Sequence, residues 1–295
     1  MVVDKNLSQQ VRIFSEFQGR IFRPPQDSAR PIKGRVVMVH GLNLAPASMD
    51  PLAERLAAEG YVVVRVALSG HRDRFMDFVR VRHEAWQDDV AAAVAAFNTM
   101  EVEVREAPLF GVGFSLGGLL LSHHARKAWQ IDGGAIWSAL ALLAPAFTPR
   151  LTVGFPLGFL PGWLPYFSFT PRRFRRWAFC PHNAYRAVGA LMREHMAMVH
   201  NAGAEAKAKA LVAAPKVVAA APKPRVLVLV HQRDELVHAD KLRNSFFGNG
   251  FDGYEVRYLR RVHRSWMVPR HLICHPEALK DDAWRALCQQ ILEIF

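Results

Sequence analysis

A single serine stands among closely spaced glycines in the segment GVGFSLGG, residues 111–118. Apolar residues precede and follow it, so Gly113-x-Ser115-x-Gly117 falls where a buried strand would turn into a helix. A turn this tight needs small residues on both sides, and it lifts the serine hydroxyl clear of the backbone. The segment therefore predicts a nucleophile elbow, with Ser115 as the nucleophile and Gly113 and Gly117 as the residues that permit the turn.

The same residues argue against two other uses of a glycine-rich turn. A phosphate-binding loop would continue with Lys and Ser or Thr, but Gly117 is followed by Gly118 and Leu119. A dinucleotide-binding turn would need a third glycine where Leu116 stands. A plain strand-to-helix turn stays open on these residues alone.

A serine nucleophile needs a general base, and the base needs an acid that holds its ring. Asp234 follows the apolar run at 225–231, and His263 follows the run at 254–260. Catalytic groups gather at the C-terminal ends of parallel strands, and the chain order Ser, acid, His is the one expected with such an elbow. We therefore predict that Ser115, Asp234 and His263 form a catalytic triad.

Other side chains compete for the acid and base positions. His263 is favoured because it comes soonest after its strand, whereas His271 and His275 lie closer to the last predicted helix. Any one of the thirteen histidines could simply be a surface residue, so the prediction depends on the joint pattern. The competing residues are His231, His238, His271 and His275 for the base, and Glu235 for the acid.

Acyl transfer places negative charge on a carbonyl oxygen, which backbone N–H groups stabilise. Leu116 follows the nucleophile and supplies one such donor. The loop HGLN at residues 40–43 follows another apolar run and supplies the second, which we assign to Leu42. His40 is expected to shape this loop rather than to react.

Apolar runs alternate with helical patterns along most of the chain. Because this alternation is typical of βαβ units, it predicts the α/β class with a mainly parallel sheet. The alternation lapses at 147–222, which predicts a core of residues 1–146 and 223–295 with 147–222 as an insertion. Strands are predicted at 35–41, 61–68, 107–114, 138–146, 225–231 and 254–260, helices at 48–59, 84–98, 116–130, 240–247 and 276–294, and an edge hairpin at 11–17 and 19–25.

Charge and composition narrow the range of partners. The formal net charge of +12 favours an anionic partner such as a membrane surface, although an arginine-rich protein without such a partner is an equal alternative. The chain shows no zinc-finger spacing and no RNA-binding aromatic motif, so nucleic acid is not an expected partner. Its three scattered cysteines predict a reducing compartment, no disulfide and no metal.

The insertion opens with the uncharged segment LTVGFPLGFLPGWLPYFSF, residues 151–169. Its three prolines argue against a membrane-spanning helix, and no secretory signal is apparent. Four arginines follow it, Arg172, Arg173, Arg175 and Arg176. We therefore expect a cytoplasmic protein with a peripheral contact to an anionic membrane through the insertion, or an apolar segment that simply packs on the core.

The combination of VVMVHGL, LSGH, GVGFSLGG, HQRDELV and VHRS resembles the α/β-hydrolase superfamily. It is most similar to the branch of monoacylglycerol lipases, lysophospholipases and serine aminopeptidase-like hydrolases. The resemblance implies the α/β-hydrolase fold, with an eight-stranded, mostly parallel sheet, a cap after the sixth strand, a Ser-Asp-His triad and neither metal nor cofactor. Three features depart from that branch. Ala67 stands in place of an Asp, Arg72 stands in place of a Gly, and Gln232-Arg233 stand where a glycine often precedes the acid.

The expected activity is hydrolysis of a small lipophilic carboxylic ester through an acyl-serine intermediate. Ser115 argues against dehalogenases and epoxide hydrolases of this superfamily, which use an Asp nucleophile. Haloperoxidase and carbon–carbon hydrolase activities stay open, as do thioester and aminoacyl amide substrates. A different class of alternative is a non-catalytic, membrane-associated binding protein on the same fold.

Overall fold

A computed structural model describes most of the chain. The described residues are 19–25, 31–132, 136–150, 161–166, 168, 170–212, 224–245, 254–260, 262–265 and 268–295.

One seven-stranded sheet forms the centre of the described structure, in the order β1-β3-β2-β4-β5-β8-β9. All neighbouring strands are parallel except β1, which pairs with β3 in the antiparallel direction. The sheet strands are β1 (Gly19–Phe22), β2 (Gly34–Val39), β3 (Tyr61–Val66), β4 (Leu109–Phe114), β5 (Ala139–Leu143), β8 (Arg225–His231) and β9 (Tyr254–Leu259).

Helices accompany these strands at nearly every crossover. Their bounds are α1 (Asp50–Ala58), α2 (Phe75–Val79), α3 (His83–Ala96), α4 (Val102–Glu106), α5 (Leu116–Asp132), α6 (His182–Val212), α7 (Ala239–Ser245) and α8 (Asp281–Ile294). Helices pack against the sheet, and strands β3, β4 and β5 are buried at every position. That burial explains why these strands are continuous apolar runs rather than alternating patterns.

The predicted mostly parallel sheet flanked by helices is confirmed. The described residues contain seven of its strands, and the predicted hairpin partner at 11–17 lies outside them. The eight-strand count therefore stays a prediction.

The last helix begins later than predicted, at Asp281 instead of residue 276. Residues 276–280 pair with the chain just after β9 instead, since His263 forms a bridge with Leu279 and the Lys280 N–H donates to the Val262 carbonyl at 2.8 Å. The prediction of a longer helix was wrong because this pairing uses the backbone groups that a helix would need.

The segment between β5 and β8 forms structures outside the main sheet. Strands β6 (Pro165–Tyr166) and β7 (Cys180–Pro181) make a short antiparallel pair, and the long helix α6 packs against α3 and α5. Residues 151–160, 167, 169 and 213–222 of the predicted insertion lie outside the described residues. The division into core and cap stays a prediction. No helix in the described ranges is both long and apolar enough to cross a bilayer.

Candidate active site

Ser115 occupies the turn between β4 and α5 with a left-handed backbone, φ 51°. Its N–H donates to the Leu143 carbonyl on the neighbouring strand at 2.8 Å, and its own carbonyl accepts from the Ala146 N–H at 3.0 Å. A non-glycine residue in this region of φ is uncommon and persists only where its surroundings hold it. The bonds to Leu143 and Ala146 do so, and they present the serine side chain at the C-terminal end of the sheet.

The two elbow glycines leave no room for a side chain. A Cβ on Gly113 would lie 2.5 Å from the Gly117 carbonyl oxygen, and a Cβ on Gly117 would lie 2.1 Å from the Val39 carbonyl oxygen. Both distances are far shorter than van der Waals contact between heavy atoms. Gly113 and Gly117 are therefore required by close backbone packing beside Ser115, as their place in the motif indicated.

His271 is the imidazole that the structure places on Ser115. Its Nε2 lies 2.9 Å from the Ser115 Oγ, and its Nδ1 lies 2.9 and 3.0 Å from the two Asp234 carboxylate oxygens. An ionised carboxylate can only accept, so Nδ1 carries the proton and Nε2 is free to accept from the serine hydroxyl. The prediction of His263 in this position was wrong.

His263 lies elsewhere, at the base of the loop that carries His271. Its Nε2 is 3.1 Å from the Leu272 carbonyl, and its ring centroid is 5.4 Å from that of His231. Its bridge with Leu279 keeps it beside the end of the sheet. The chain instead extends eight residues further before an imidazole meets Ser115, so proximity to the strand was a misleading criterion.

Asp234 is buried in a tight turn after β8. Its Oδ1 accepts from the backbone N–H groups of Leu236 and Val237 at 2.8 and 2.9 Å, in addition to the imidazole. Burial acts to raise the pKa of this carboxyl, but the facing His271 and the two N–H groups outweigh that effect and lower the pKa below its usual value. Asp234 is thus held ionised where the imidazole needs an acceptor.

Glu235, the competing acid, has a different contact. Its carboxylate accepts from the backbone N–H of His271 at 3.1 Å, while the ring of His271 turns to Asp234. The two neighbouring acids therefore hold the same residue by its backbone and by its side chain.

The loop expected to supply an oxyanion donor packs directly on the elbow. A Cβ on Gly41 would lie 3.1 Å from the Ser115 Cβ. His40 is buried, its Nδ1 donates to the Gly41 carbonyl at 2.8 Å, and its Nε2 accepts from the Leu68 N–H at 3.1 Å. Burial lowers the pKa of His40 to about 4, so the neutral ring fits a structural contact.

Asn43 ties this loop to the segment that follows β5. Its side-chain amide donates to the Ser168 Oγ at 2.9 Å and its Oδ1 accepts from the Trp177 N–H at 3.0 Å. Its own N–H donates to the His71 Nε2 at 2.8 Å. The sequence analysis did not identify Asn43, the last residue of HGLN, as the residue that connects the two segments. Its left-handed φ of 52° is one that asparagine tolerates.

A largely apolar pocket opens above Ser115 and encloses about 830 Å³, part of which is open to solvent. Leu42 and Leu116, the expected oxyanion donors, both line it, and Leu116 begins α5, where the first N–H groups have no acceptor within the helix. Besides Ser115, the walls combine apolar side chains with three hydroxyl groups, those of Ser168, Thr170 and Tyr185. Such a pocket suits an apolar ligand with a small polar end.

The described residues contain no group of three or more His, Cys, Asp or Glu side chains arranged to hold a metal ion. Cys180, Cys274 and Cys288 are buried free thiols, and burial raises the pKa of each above its ordinary value. Raised thiol pKa values leave little thiolate at neutral pH, so these cysteines are not candidate nucleophiles.

Known proteins resemble this chain in sequence. A family model described as serine aminopeptidase, S33, matches residues 30–247, well over half of the chain. A thermostable monoacylglycerol lipase of Bacillus sp. (strain H-257) is 33% identical over 129 residues, which are 44% of this chain and 48% of that protein. The chain thus spans about half the length of this curated relative.

Solved structures with a similar fold include a monoacylglycerol lipase of Paleococcus ferrophilus, at 17% identity and a TM-score of 0.62, covering 95% of this chain and 100% of that one. Est1E of Butyrivibrio proteoclasticus, solved with ferulic acid bound, has 17% identity and a TM-score of 0.61 and covers 94% of each chain. At these identities, the fold is what the structures share with this chain.

Proposed function

We propose that this chain, which belongs to the serine aminopeptidase S33 family, hydrolyses lipophilic carboxylic esters at Ser115 through an acyl-serine intermediate. The observation that supports the proposal most is the chain of contacts from Ser115 Oγ to His271 Nε2 and from His271 Nδ1 to Asp234, all at 2.9–3.0 Å. Nucleophile, base and orienting acid at these distances form the arrangement that acyl transfer requires. The 33% identical relative is named as a monoacylglycerol lipase, which agrees with an ester substrate.

In the proposed first step, Ser115 Oγ attacks the ester carbonyl carbon while its proton moves to His271 Nε2. The backbone N–H groups of Leu42 and Leu116 stabilise the oxyanion that forms. Collapse of this intermediate breaks the bond to the alkoxy oxygen, and His271 returns the proton to the leaving alcohol. Water, deprotonated by His271, then attacks the acyl-serine carbonyl. The bond from the acyl carbon to Ser115 Oγ breaks, His271 returns the proton to Ser115, and the carboxylic acid is released. Asp234 keeps the imidazole in the required tautomer throughout.

The pocket above Ser115 supports an acyl chain rather than a peptide side chain as the preferred substituent. Its lining carries more apolar than polar groups, including Leu236, Val237 and Val188. Burial of each methylene contributes about 0.8 kcal/mol to binding, so longer acyl chains should bind more tightly until the pocket is full. Thioester and aminoacyl amide hydrolysis on the same residues are the alternatives that a substrate panel separates.

The test is hydrolysis of nitrophenyl esters of increasing acyl length, with a thioester and an aminoacyl amide alongside. We expect Ser115→Ala to lower kcat/KM by about 10³-fold or more and to abolish labelling by a fluorophosphonate probe. Ser138→Ala, at an exposed serine, is the matched control and should retain both. Full ester activity in Ser115→Ala would contradict the proposal, and an unlabelled wild-type serine would favour the binding-protein alternative.

We further propose a peripheral contact between the segment after β5 and an anionic membrane. Trp163 and Phe179 are 65% and 54% exposed, and each lies just before a strand of the short β6–β7 pair. The exposed Arg172, Arg173 and Arg176 lie nearby in sequence, and each arginine near an anionic surface contributes about 1 kcal/mol. Residues 151–160, part of the apolar segment that suggested this contact, lie outside the described residues.

A further inference from the structure

A second pocket, which shares no lining residue with the one above Ser115, opens beside the C-terminal end of β3. It encloses about 690 Å³, much of it open to solvent. We call it the arginine pocket, because Arg65, Arg72 and Arg176 line it together with His71 and Asp73. The proposed hydrolysis uses none of these side chains.

The three guanidinium groups differ in how far they are already neutralised. Arg65 pairs with Asp50 at 2.7 Å, and Arg72 pairs with Asp89. Arg176 donates to the backbone carbonyl of Arg72, and within the described ranges it has no ion pair with a carboxylate. A guanidinium carries five N–H donors in a fixed fork, so one carbonyl contact leaves most of those of Arg176 available.

Two of the three departures from the resembling hydrolase branch lie in this pocket. Ala67 stands where that branch has an acid, and Arg72 stands where it has a glycine, and both residues line the arginine pocket. Asp89 neutralises Arg72 and Asp50 neutralises Arg65. The positive charge that the pocket offers to an anion is therefore chiefly that of Arg176.

The arginine pocket is connected to the loop beside Ser115. His71 lines the pocket and accepts at Nε2 from the Asn43 N–H at 2.8 Å. The backbone N–H of Arg176 donates to the Asn43 carbonyl at 3.0 Å. Asn43 follows Leu42, a proposed oxyanion donor. A ligand held by Arg176 would therefore contact a residue that is hydrogen-bonded to the loop carrying Leu42.

We propose that the arginine pocket binds a phosphate group, with Arg176 as its main donor. The Nε of Arg72 donates to the Ala67 carbonyl and its Nη2 pairs with Asp89, so Arg72 adds only its remaining N–H groups. Phosphate oxygens match the planar fork of arginine, which binds them through paired N–H donors. Asp73 is exposed at the same pocket and repels an anion there. A neutral side chain at this position should therefore increase the affinity for phosphate. The phosphate comes either from a small soluble phosphate ester or from a lipid headgroup.

The experiment is calorimetric titration of the full chain with inorganic phosphate at constant ionic strength. We expect Arg176→Gln to weaken the Kd at least tenfold, and Arg172→Gln, an equal charge loss outside the pocket, to change it less than twofold. Asp73→Asn should strengthen binding, which tests the site without removing a donor. Equal effects of the two arginine substitutions, or no measurable heat with the wild-type chain, would overturn the proposal.

The source of the phosphate is resolved by two further titrations, with sn-glycerol 3-phosphate and with phosphatidylglycerol vesicles against phosphatidylcholine vesicles. A loss of vesicle binding in Arg176→Gln that is at least tenfold larger than in Arg172→Gln, which removes an equal charge from the same proposed membrane contact, supports a lipid headgroup. Selective loss of glycerol phosphate binding, with vesicle binding unchanged, supports a soluble ester. If neither titration distinguishes the two variants, the pocket is not a phosphate site. Binding is measured without ester hydrolysis, so this result is independent of the proposed activity.

Discussion

At the scale of single residues, the imidazole on Ser115 comes from a loop rather than from the end of a strand. His263 and His271 have the same chemistry and lie eight residues apart, on the same side of β9 in the chain. What separates them is backbone pairing, because the bridge of His263 with Leu279 holds it away while the loop returns His271 to Asp234. Ser115 directly follows β4 and Asp234 lies three residues past the end of β8, so both could be predicted from sequence, whereas a loop of this length leaves its histidine undetermined.

The two histidines should therefore differ sharply on substitution. We expect His271→Gln to lower kcat by about 10³-fold or more, because the proton acceptor for Ser115 is lost. His263→Gln can retain a donor to the Leu272 carbonyl, and we expect less than a tenfold decrease in kcat/KM. Steady-state hydrolysis of a nitrophenyl ester measures both. The reverse order of effects would restore His263 as the base.

Asp234 should also make a measurable contribution to the dependence of stability on pH. Its folded-state pKa lies below the unfolded value of 3.8, so its ionised form contributes stability above that pH, and the contribution is lost as the pH falls through the folded-state pKa. We expect Asp234→Asn to have a lower free energy of unfolding at pH 7, with the difference from wild type narrowing below about pH 4. Urea unfolding between pH 3 and 7 tests this.

A constant difference across that range would show that the ionised carboxylate does not stabilise the fold. The same variant should lose about 10⁴-fold in kcat at neutral pH, because an amide can hold the imidazole in the wrong tautomer. Activity and stability thus report separately on one side chain.

At the scale of elements, the strand–turn–helix around Ser115 is limited by backbone contact. Gly117→Ala would place a Cβ 2.1 Å from the Val39 carbonyl oxygen on β2. Because the obstacle is backbone of a central strand, relief requires α5 to move, and we expect a loss of about 3 kcal/mol or more in the free energy of unfolding.

Gly189→Ala in α6 is the matched control. Its new Cβ would meet only the flexible end of Arg193, at 3.5 Å, and alanine favours a helix by about 0.5–1 kcal/mol. We expect this variant to be as stable as wild type or more so in urea unfolding. A Gly117→Ala protein that unfolds at the wild-type urea concentration would refute the packing argument.

The elements that sequence predicts well are those whose pattern arises from burial. Central strands such as β2 and β8 are apolar at successive positions because both of their faces are covered. These apolar runs can be recognised in the amino-acid sequence. Helix α6 was not predicted, although Ala184, Ala187 and Leu191 recur at helical spacing and are buried. Its polar and aromatic surroundings concealed the pattern, and only packing against α3 and α5 shows which face is apolar.

At the scale of the whole molecule, the positive charge of the protein lies outside the pocket above Ser115. The chain carries a net charge of +12, yet the pocket above Ser115 is lined mainly by uncharged residues. A neutral, apolar substrate is consistent with this arrangement, since the positive charge acts at longer range, over distances of about 10 Å at moderate salt. Attraction to an anionic surface would therefore bring the protein to lipid without competing for the pocket.

This separation predicts that membrane binding depends on both salt and exposed aromatic side chains. We expect the variant with Trp163→Ser and Phe179→Ser to bind anionic vesicles about a hundredfold more weakly, since burying each large apolar side chain is worth about 1.5 kcal/mol or more. Val102→Ser, at a 49% exposed residue of α4, is the control and should bind as wild type. Raising sodium chloride from 0.1 to 0.5 M should weaken wild-type binding further, because surface charges are screened. Vesicle sedimentation measures each affinity, and a salt-insensitive affinity shared by all three proteins would exclude the proposed membrane contact.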